Sequence, residues 1–316
     1  MPATLSAMTP RTRWAGPLAA ILLLVAVLAA ACGPTTPTPT PPASAAASQA
    51  AGGVLPQIIS NELVKGPNRV VFSFLDASGT KPVGSPDRTA TVQVKGPSGE
   101  SVAAPAALFV WAIEGVSGVY VTHADFPVAG AWTATFTTSV PGSPEESVPF
   151  SFDVQEDASV VQPGEKAPSI ETPTLADVSG DVSKISSDQT PVPAFYEVSV
   201  ADALAAHKPF VLVFATPKFC ASKTCGPTLD KIKTVAMAHP DVTFINVEPY
   251  QLTVVDGQLQ PVLSDANELQ TVPAADAYGL LTEPFVFVVG GDGIVKASFE
   301  LVFAPSEIDE ALAGLN

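Results

Sequence analysis

The sequence predicts two folded parts, an all-β sandwich followed by an α/β fold. Short alternating strands separated by turn residues run through residues 58–154. Beyond Pro193, helical segments alternate with unbroken apolar runs such as residues 210–215, which is typical of strands buried on both faces. Segments rich in proline separate these parts from each other and from the N-terminus.

The composition fits folded domains joined by linkers and argues against nucleic-acid binding. Of the 316 residues, 47% are hydrophobic and 15% are charged, as in globular proteins. The 32 prolines are too many for one compact fold, and they cluster in linker-like segments. The formal net charge is -16, whereas a nucleic-acid partner requires a basic surface.

The N-terminal segment predicts export. Arg11 and Arg13 precede an apolar run over residues 18–31, a length that suits a signal-peptide core better than a membrane span. The run ends in small residues followed by Cys32, which resembles the lipobox of bacterial lipoproteins. This resemblance implies cleavage before Cys32 and a lipid on its sulfur.

Two other interpretations of this segment remain open. Ala29 and Ala31 also satisfy an ordinary signal-peptidase site, and the segment could stay uncleaved as an anchor. All three interpretations place the domains outside the cytoplasm. We expect a lipid-anchored protein of the cell membrane that faces the extracytoplasmic side.

The predicted organisation has five segments. They are a signal peptide (residues 1–31), a Pro/Thr/Ala-rich tether (32–53), a sandwich (54–155), a linker (156–193) and an α/β domain (194–316). Within the sandwich, residues 118–133 resemble the late strands of bacterial immunoglobulin-like domains, including those of the YtkA and FixH type. The resemblance implies an immunoglobulin-like fold in which Tyr120 forms a tyrosine corner and Trp132 lies in the core. A lone histidine, His123, predicts no metal site.

The α/β segment carries motifs in an order that resembles the thioredoxin-like superfamily, in particular extracytoplasmic redoxins of the TlpA type. The matching motifs are the strand Val213-Phe214-Ala215 leading to Cys220, the segment from Tyr278-Gly279 to Pro284, and the turn Gly291-Asp292-Gly293. The resemblance implies a thioredoxin-like fold in which Pro284 is cis and faces the cysteines.

Cys220 and Cys225 are the two cysteines that remain beside Cys32, and an exported chain favours their pairing. On one regular helix they would lie about 140° apart around the axis and could not bond. Cys220 is therefore expected in a loop, with a helix beginning near Cys225. Either Cys220 is the nucleophile and Cys225 resolves, or Cys225 to Thr228 occupies the family motif and Cys220 resolves from upstream.

The thiol chemistry of this pair predicts a thiol–disulfide oxidoreductase. The helix N-terminus, Lys218 and Lys223 would lower the pKa of one cysteine, whose thiolate would attack a substrate disulfide. Pro284 would support the substrate backbone, as the family resemblance implies. The expected partners are exported protein thiols and disulfides and a redox partner, and no cofactor is expected.

Two departures from the family weaken this prediction. Leu212 stands where the family has a buried proton-relay aspartate, and Glu283, before Pro284, places a carboxylate that opposes a thiolate. The first alternative is a binding or adaptor lipoprotein with a structural disulfide. The second is copper handling of the SCO type, for which His207 and His239 are the candidate ligands. Both histidines are expected away from the cysteine end of the sheet, so no metal site is predicted.

One segment falls outside these motifs. Residues 249–270 look like an insertion, with a hairpin expected around residues 255–258 that would shape a partner site.

Overall fold

Strands dominate the part of the chain that the computed structural model describes, residues 53–315. The predicted signal peptide, Cys32 and nearly all of the tether lie outside the described residues. The first eight strands are β1 (Leu55–Ile58), β2 (Gly66–Leu75), β3 (Thr89–Lys95), β4 (Ser101–Ala103), β5 (Leu108–Ile113), β6 (Ser117–Phe126), β7 (Gly130–Ser139) and β8 (Glu146–Val154).

These strands form two antiparallel sheets, in the orders β1-β2-β6-β5 and β4-β3-β7-β8. Strand β3 buries every second residue, the period that a half-buried strand requires. The inward side chains of both sheets make one aromatic core that includes Phe72, Phe136 and Trp132. The immunoglobulin-like sandwich predicted for this half is confirmed, with Trp132 in its core.

Tyr120 ties the loop between β2 and β3 to this core. Its ring is fully buried, while its hydroxyl donates to the carbonyl of Ser85 at 2.9 Å and accepts from the N–H of Ser85 at 3.1 Å. A buried tyrosine whose hydroxyl binds the backbone upstream is the arrangement expected from the sequence.

The second half contains β9 (Phe210–Phe214), β10 (Thr243–Val247), β11 (Leu252–Val255), β12 (Gln258–Pro261), β13 (Phe285–Val289) and β14 (Val295–Glu300). Its α-helices are α1 (Val200–Ala205), α2 (Cys225–Ala238), α3 (Pro273–Ala277) and α4 (Pro305–Ala313). Four strands form a mixed sheet in the order β10-β9-β13-β14, with β9 and β10 parallel. Strands β9 and β13 are buried throughout, which explains their unbroken apolar sequences.

Local sequence signals set the ends of several elements in this half. Ser199 caps α1 by accepting from the N–H of Asp202 at 3.1 Å. Strands β11 and β12 form the expected hairpin, which turns through Asp256 and Gly257, both at positive φ. This hairpin forms a separate two-stranded sheet beside the mixed one.

The predicted linker packs against the mixed-sheet half instead of crossing open solvent. Val160 and Ala167 join the hydrophobic core on one face of the sheet. The N–H of Gly164 donates to the carbonyl of Val295 at 2.8 Å, and the N–H of Val295 donates to the carbonyl of Glu165 at 2.9 Å. The linker therefore covers the first part of the outer edge of β14.

The two halves pack together within one compact unit. Val71, Val110 and Val121 on the outer face of one sandwich sheet join Val302, after β14, in a shared buried cluster. The sandwich is therefore packed against the mixed-sheet half. No helix in the described part of the chain has the length and apolar character needed to cross a bilayer.

Candidate functional site

The two cysteines form a disulfide at the entrance to α2. Cys220 lies in the loop after β9, and Cys225 is the first residue of α2, with 6.1 Å between their Cα atoms. Cys225 is fully buried and Cys220 is half-buried. The predicted disulfide, the loop position of Cys220 and the helix start are all confirmed.

A buried carboxylate lies against this disulfide. One carboxylate oxygen of Glu283 lies within 4.8 Å of both sulfur atoms, and the Tyr250 hydroxyl donates to Glu283 Oε2 at 2.6 Å. Burial raises the pKa of Tyr250, and the hydrogen bond to Glu283 and the charge of Glu283 raise it further. The bond between Glu283 and Pro284 is cis, as the resemblance implied. A negative charge at this place disfavours formation of a thiolate.

The two lysines predicted to favour a thiolate make other contacts. Lys218 Nζ donates to the carbonyl of Leu259 in β12 at 2.9 Å and lies 5.3 Å from the centre of the Phe219 ring. Lys223 is an exposed loop residue at φ 62°. Neither ammonium group is hydrogen-bonded to a sulfur among the residues described.

The same group of side chains does not form a metal site while the disulfide is closed. Cys220, Cys225 and Glu283 have donor atoms close enough to share an ion. Metal ligation by cysteine requires thiolates, which the disulfide bond removes. Of the two histidines considered for copper, His239 places Nε2 2.9 Å from Asp309 Oδ1.

A second candidate site is the interlobe cleft, a cavity of about 520 Å³ between the sandwich and β14. On the sandwich side it is lined by the paired ends of β2 and β6, where Arg69 is opposite His123 and Pro67 is opposite Asp125. On the other side, five consecutive residues of β14, residues 296–300, line it. Phe285 and the linker residue Val160 add apolar surface.

The cations of the cleft are already paired. Arg69 donates to both carboxylate oxygens of Glu307, at 2.8 and 3.0 Å, and both side chains are largely buried. Lys296 lies 2.6 Å from Asp292 in the turn before β14. Each of these cations therefore already has a carboxylate partner, although Arg69 Nη1 is buried and has no hydrogen-bond partner among the described residues.

The carboxylates of the cleft have only neutral hydrogen-bond partners, or none, in the described residues. Glu62 accepts from the N–H groups of Ser159 and Val160 at 2.9 and 3.0 Å. Glu300 accepts from the backbone and side-chain amides of Asn61. Burial raises the pKa of Glu300, although the bonds from Asn61 lower it. With exposed Asp125, these groups make the cleft favourable for positive charge.

Sequence reasoning missed the cleft because its walls come from segments far apart in the chain. Its lining residues form no short motif, unlike the cysteine loop. The available signal was the presence of charged residues inside strands, since Arg69 interrupts the sequence of β2 and Glu300 ends β14. Such residues are partly buried here by packing between the halves, which no local pattern reports.

No protein-family model matches the sequence, and no curated protein matches it significantly. Among solved structures, a DUF4426 family protein from Pseudomonas aeruginosa PAO1 is 15% identical, with 29% of this chain and 68% of that chain covered and a TM-score of 0.24. The Lin-41 filamin domain is 16% identical, with 32% of this chain and 93% of that chain covered and a TM-score of 0.21.

The predicted membership of the thioredoxin-like superfamily is wrong: no family model or curated protein supports it, and neither solved structure named above is described as thioredoxin-like. The C-terminal thioredoxin-like fold is likewise unsupported. The motifs that suggested it are short, and local demands account for them. Gly279 and Gly293 occupy backbone positions at φ 66° and 76°, which favour glycine, and the apolar run of β9 is what any fully buried strand requires.

The predicted thiol–disulfide oxidoreductase is also wrong, and with it the SCO-type copper alternative. Neither of the two solved structures named above is described as a redox enzyme. The geometry agrees, since Cys225 is fully buried and a carboxylate oxygen of Glu283, whose charge disfavours thiolates, lies within 4.8 Å of both sulfurs. The expected redox partner and thiol substrates depended on that activity and stay an untested expectation.

Proposed function

We propose that this chain is a non-catalytic binding protein whose ligand site is the interlobe cleft. The observation that carries the proposal is the cleft itself, a cavity of about 520 Å³ whose partly apolar lining includes Glu62, Asp125 and Glu300, none of them in a salt bridge among the described residues. Ligand sites commonly have roughly 300–1,000 Å³ and a few convergent polar groups, and they occur preferentially between packed domains. The charges favour a ligand group that is positive and partly apolar.

In this proposal the Cys220–Cys225 disulfide is structural. It closes the loop between β9 and α2, one of the connections that lead from the core of the mixed sheet. An exported protein benefits from such a cross-link because oxidising compartments preserve it. Glu283 supports this role by disfavouring the thiolates on which exchange depends.

We further propose that the protein is exported and held to the cell membrane through a lipid on Cys32. The support is the charged start, the apolar run and the small residues before Cys32 in the sequence. Mass spectrometry of the mature N-terminus tests this proposal. A diacylated Cys32 at the first position is expected, whereas an unmodified Cys32 would refute the anchor.

Saturation-transfer NMR on the full mature chain tests the cleft. The probes are three matched fragments, benzylammonium, benzyl alcohol and benzoate, because they differ mainly in charge. We expect transfer to benzylammonium and much weaker transfer to benzoate. Ser298→Trp, which fills the cleft from β14, should abolish the signal, and Ser151→Trp at an exposed position of strand β8 is the control.

The proposal fails in either of two cases. Equal transfer to all three fragments would remove the role of the carboxylates. Equal transfer to benzylammonium in the Ser298→Trp and wild-type proteins would place the binding outside the cleft.

A further inference from the structure

We propose that the cleft receives an extended peptide segment of a partner protein, which adds as a strand to the free edge of β14 and places a basic side chain against the carboxylates. The inference rests on the cleft being the binding site. It adds the class of ligand and the mode of recognition, which is main-chain pairing to a sheet edge.

Strand β14 is the last strand of the mixed sheet, so one of its sides has no neighbouring strand among residues 53–315. The N–H of Leu301 donates to the carbonyl of Pro284, and Val286 is opposite Phe299. Because inward and outward hydrogen bonding alternate along an antiparallel strand, the backbone groups of Phe299 and Ala297 point to β13. Those of Ser298 therefore point away from β13, to the side where the cleft opens.

The linker shows that this edge accepts backbone pairing from an extended segment, since Lys166 forms an antiparallel bridge with Ile294. Its residues 164–167 pair with residues 293–295 through three backbone hydrogen bonds of 2.8 to 2.9 Å. Pro163, which cannot donate a backbone hydrogen bond, lies where the linker leaves this edge and lines the cleft. Residues 296–300 beyond that point line the cleft, a length of about 13 Å for four residue steps.

The opposite wall limits what can reach this edge. The ends of β2 and β6 and the residues Val102 and Pro105 of the sandwich face β14 across the cleft. We infer from the cavity volume of about 520 Å³ that a single extended chain can lie between the two sides and a second folded sheet cannot. Lys296, beside the edge, also discourages pairing with another sheet, as charged residues at sheet edges do.

The charges select the side chains of the peptide. Glu62 and Asp125 line the cleft from the sandwich side and Glu300 from the end of β14. A lysine or arginine of the added strand compensates these carboxylates, while its apolar neighbours cover the apolar lining near Phe285. The partner is therefore a protein with an exposed extended segment of alternating apolar and basic residues.

The test uses three fluorescein-labelled hexapeptides and fluorescence anisotropy at about 0.15 M salt, where surface charge effects are screened beyond about 8 Å. One peptide alternates valine and lysine, one alternates valine and glutamate, and one is the lysine peptide with alternate backbone nitrogens methylated. We expect the lysine peptide to bind at least about tenfold more tightly than either of the others, a difference of about 1.4 kcal/mol.

Ser298→Pro removes the outward N–H of β14 without removing a bond to β13, so the sheet should persist. We expect this variant to bind the lysine peptide at least about tenfold more weakly, because both the donor and the shape of the edge change. Ser151→Pro is the matched control, since β8 is also an edge strand and already contains Pro149 two residues earlier. Unchanged circular dichroism confirms that both variants fold.

Hydrogen exchange at the Ser298 amide of the wild-type protein provides a second readout that needs no variant. Saturating lysine peptide should slow this exchange at least about tenfold, as a new backbone hydrogen bond does. Unchanged exchange at Ser298, or equal affinity for the methylated peptide, would overturn strand addition. If benzylammonium still binds in the cleft, the cleft remains the site and only the peptide mode fails, whereas loss of both results ends both proposals.

Discussion

Glu248 is a carboxylic acid whose burial and few hydrogen bonds make its ionisation unfavourable. It follows β10, its Oε1 accepts from the N–H of Ser187 at 2.6 Å, and its Oε2 has no hydrogen-bond partner in the part of the chain that the structure describes. Burial raises the pKa of Glu248 from 4.5 to about 7. The folded state therefore holds a proton that the unfolded state has lost, and this contribution to stability disappears as pH rises through about 7.

Glu248→Gln should remove this dependence on pH. The wild-type free energy of unfolding should fall on the order of 2–3 kcal/mol relative to the variant between about pH 5 and pH 8. Urea denaturation at both pH values measures the effect, with exposed Glu145→Gln as the control. Parallel pH profiles for the wild-type and Glu248→Gln proteins would show that Glu248 ionises without penalty.

Glu283 should control the reactivity of the cysteines after reduction. With the disulfide opened by a phosphine, Glu283→Gln removes the like charge near the sulfurs, so a thiolate forms more readily. We expect alkylation of Cys220 by iodoacetamide at about pH 7 to be several-fold faster than in the reduced wild-type protein. Equal alkylation rates would contradict the assigned influence of Glu283 on the pair.

At the scale of elements, the disulfide should stabilise the connection between β9 and α2. A closed loop of this length contributes about 2 kcal/mol by restricting the unfolded chain. Replacing both Cys220 and Cys225 by alanine should lower the free energy of unfolding by about that amount and leave benzylammonium binding intact. Loss of cleft binding in a folded double variant would mean that the disulfide loop belongs to the site.

The helices and strands were largely predictable from local signals, but the superfamily of the second half was not. Alternation along β3, the cap at Ser199 and the turn at Asp256 act over a few residues, so the sequence reports them directly. The family assignment joined short motifs over the whole second half. Each motif satisfied a local requirement of a buried strand or a turn. The motifs together therefore did not establish a thioredoxin-like fold.

At the scale of the whole molecule, a buried ion pair joins the two halves. Arg69 of β2 and Glu307 of α4 are 238 positions apart in the sequence and are both largely buried. Arg69 Nη2 also donates to the carbonyl of Val302 at 2.9 Å. This pair lies next to the cleft, so it helps to hold the two walls in place.

Glu307→Gln leaves the buried Arg69 without its counter-charge and should lower the free energy of unfolding by about 3 kcal/mol. Burial alone would raise the pKa of Glu307, but the hydrogen bonds from Arg69 and the charge of Arg69 lower this pKa below 4.5. The stabilisation is therefore present above that pH and is lost as pH falls. Urea denaturation of the wild-type and Glu307→Gln proteins measures the loss. Glu310→Gln, at an exposed position of α4, is the control. Equal stabilities of the wild-type and Glu307→Gln proteins would contradict the role of the pair.

The cleft could not be predicted from the sequence. The cysteines are rare and close together in the sequence, and their pairing was predicted correctly. Asp125 and Glu300 come together only because the outer face of the sandwich packs on the segment after β14. That packing is a long-range consequence of two separate apolar surfaces, neither of which differs in sequence from an ordinary core.

The most direct test of the binding function is to map the backbone amide shifts of the full mature chain by NMR during titration with benzylammonium. We expect saturable shifts at β14 and at the ends of β2 and β6, with the amides of residues 220–225 unchanged. Saturable shifts confined to residues 220–225 and Glu283, with none along β14, would contradict a binding site in the cleft and return attention to the disulfide.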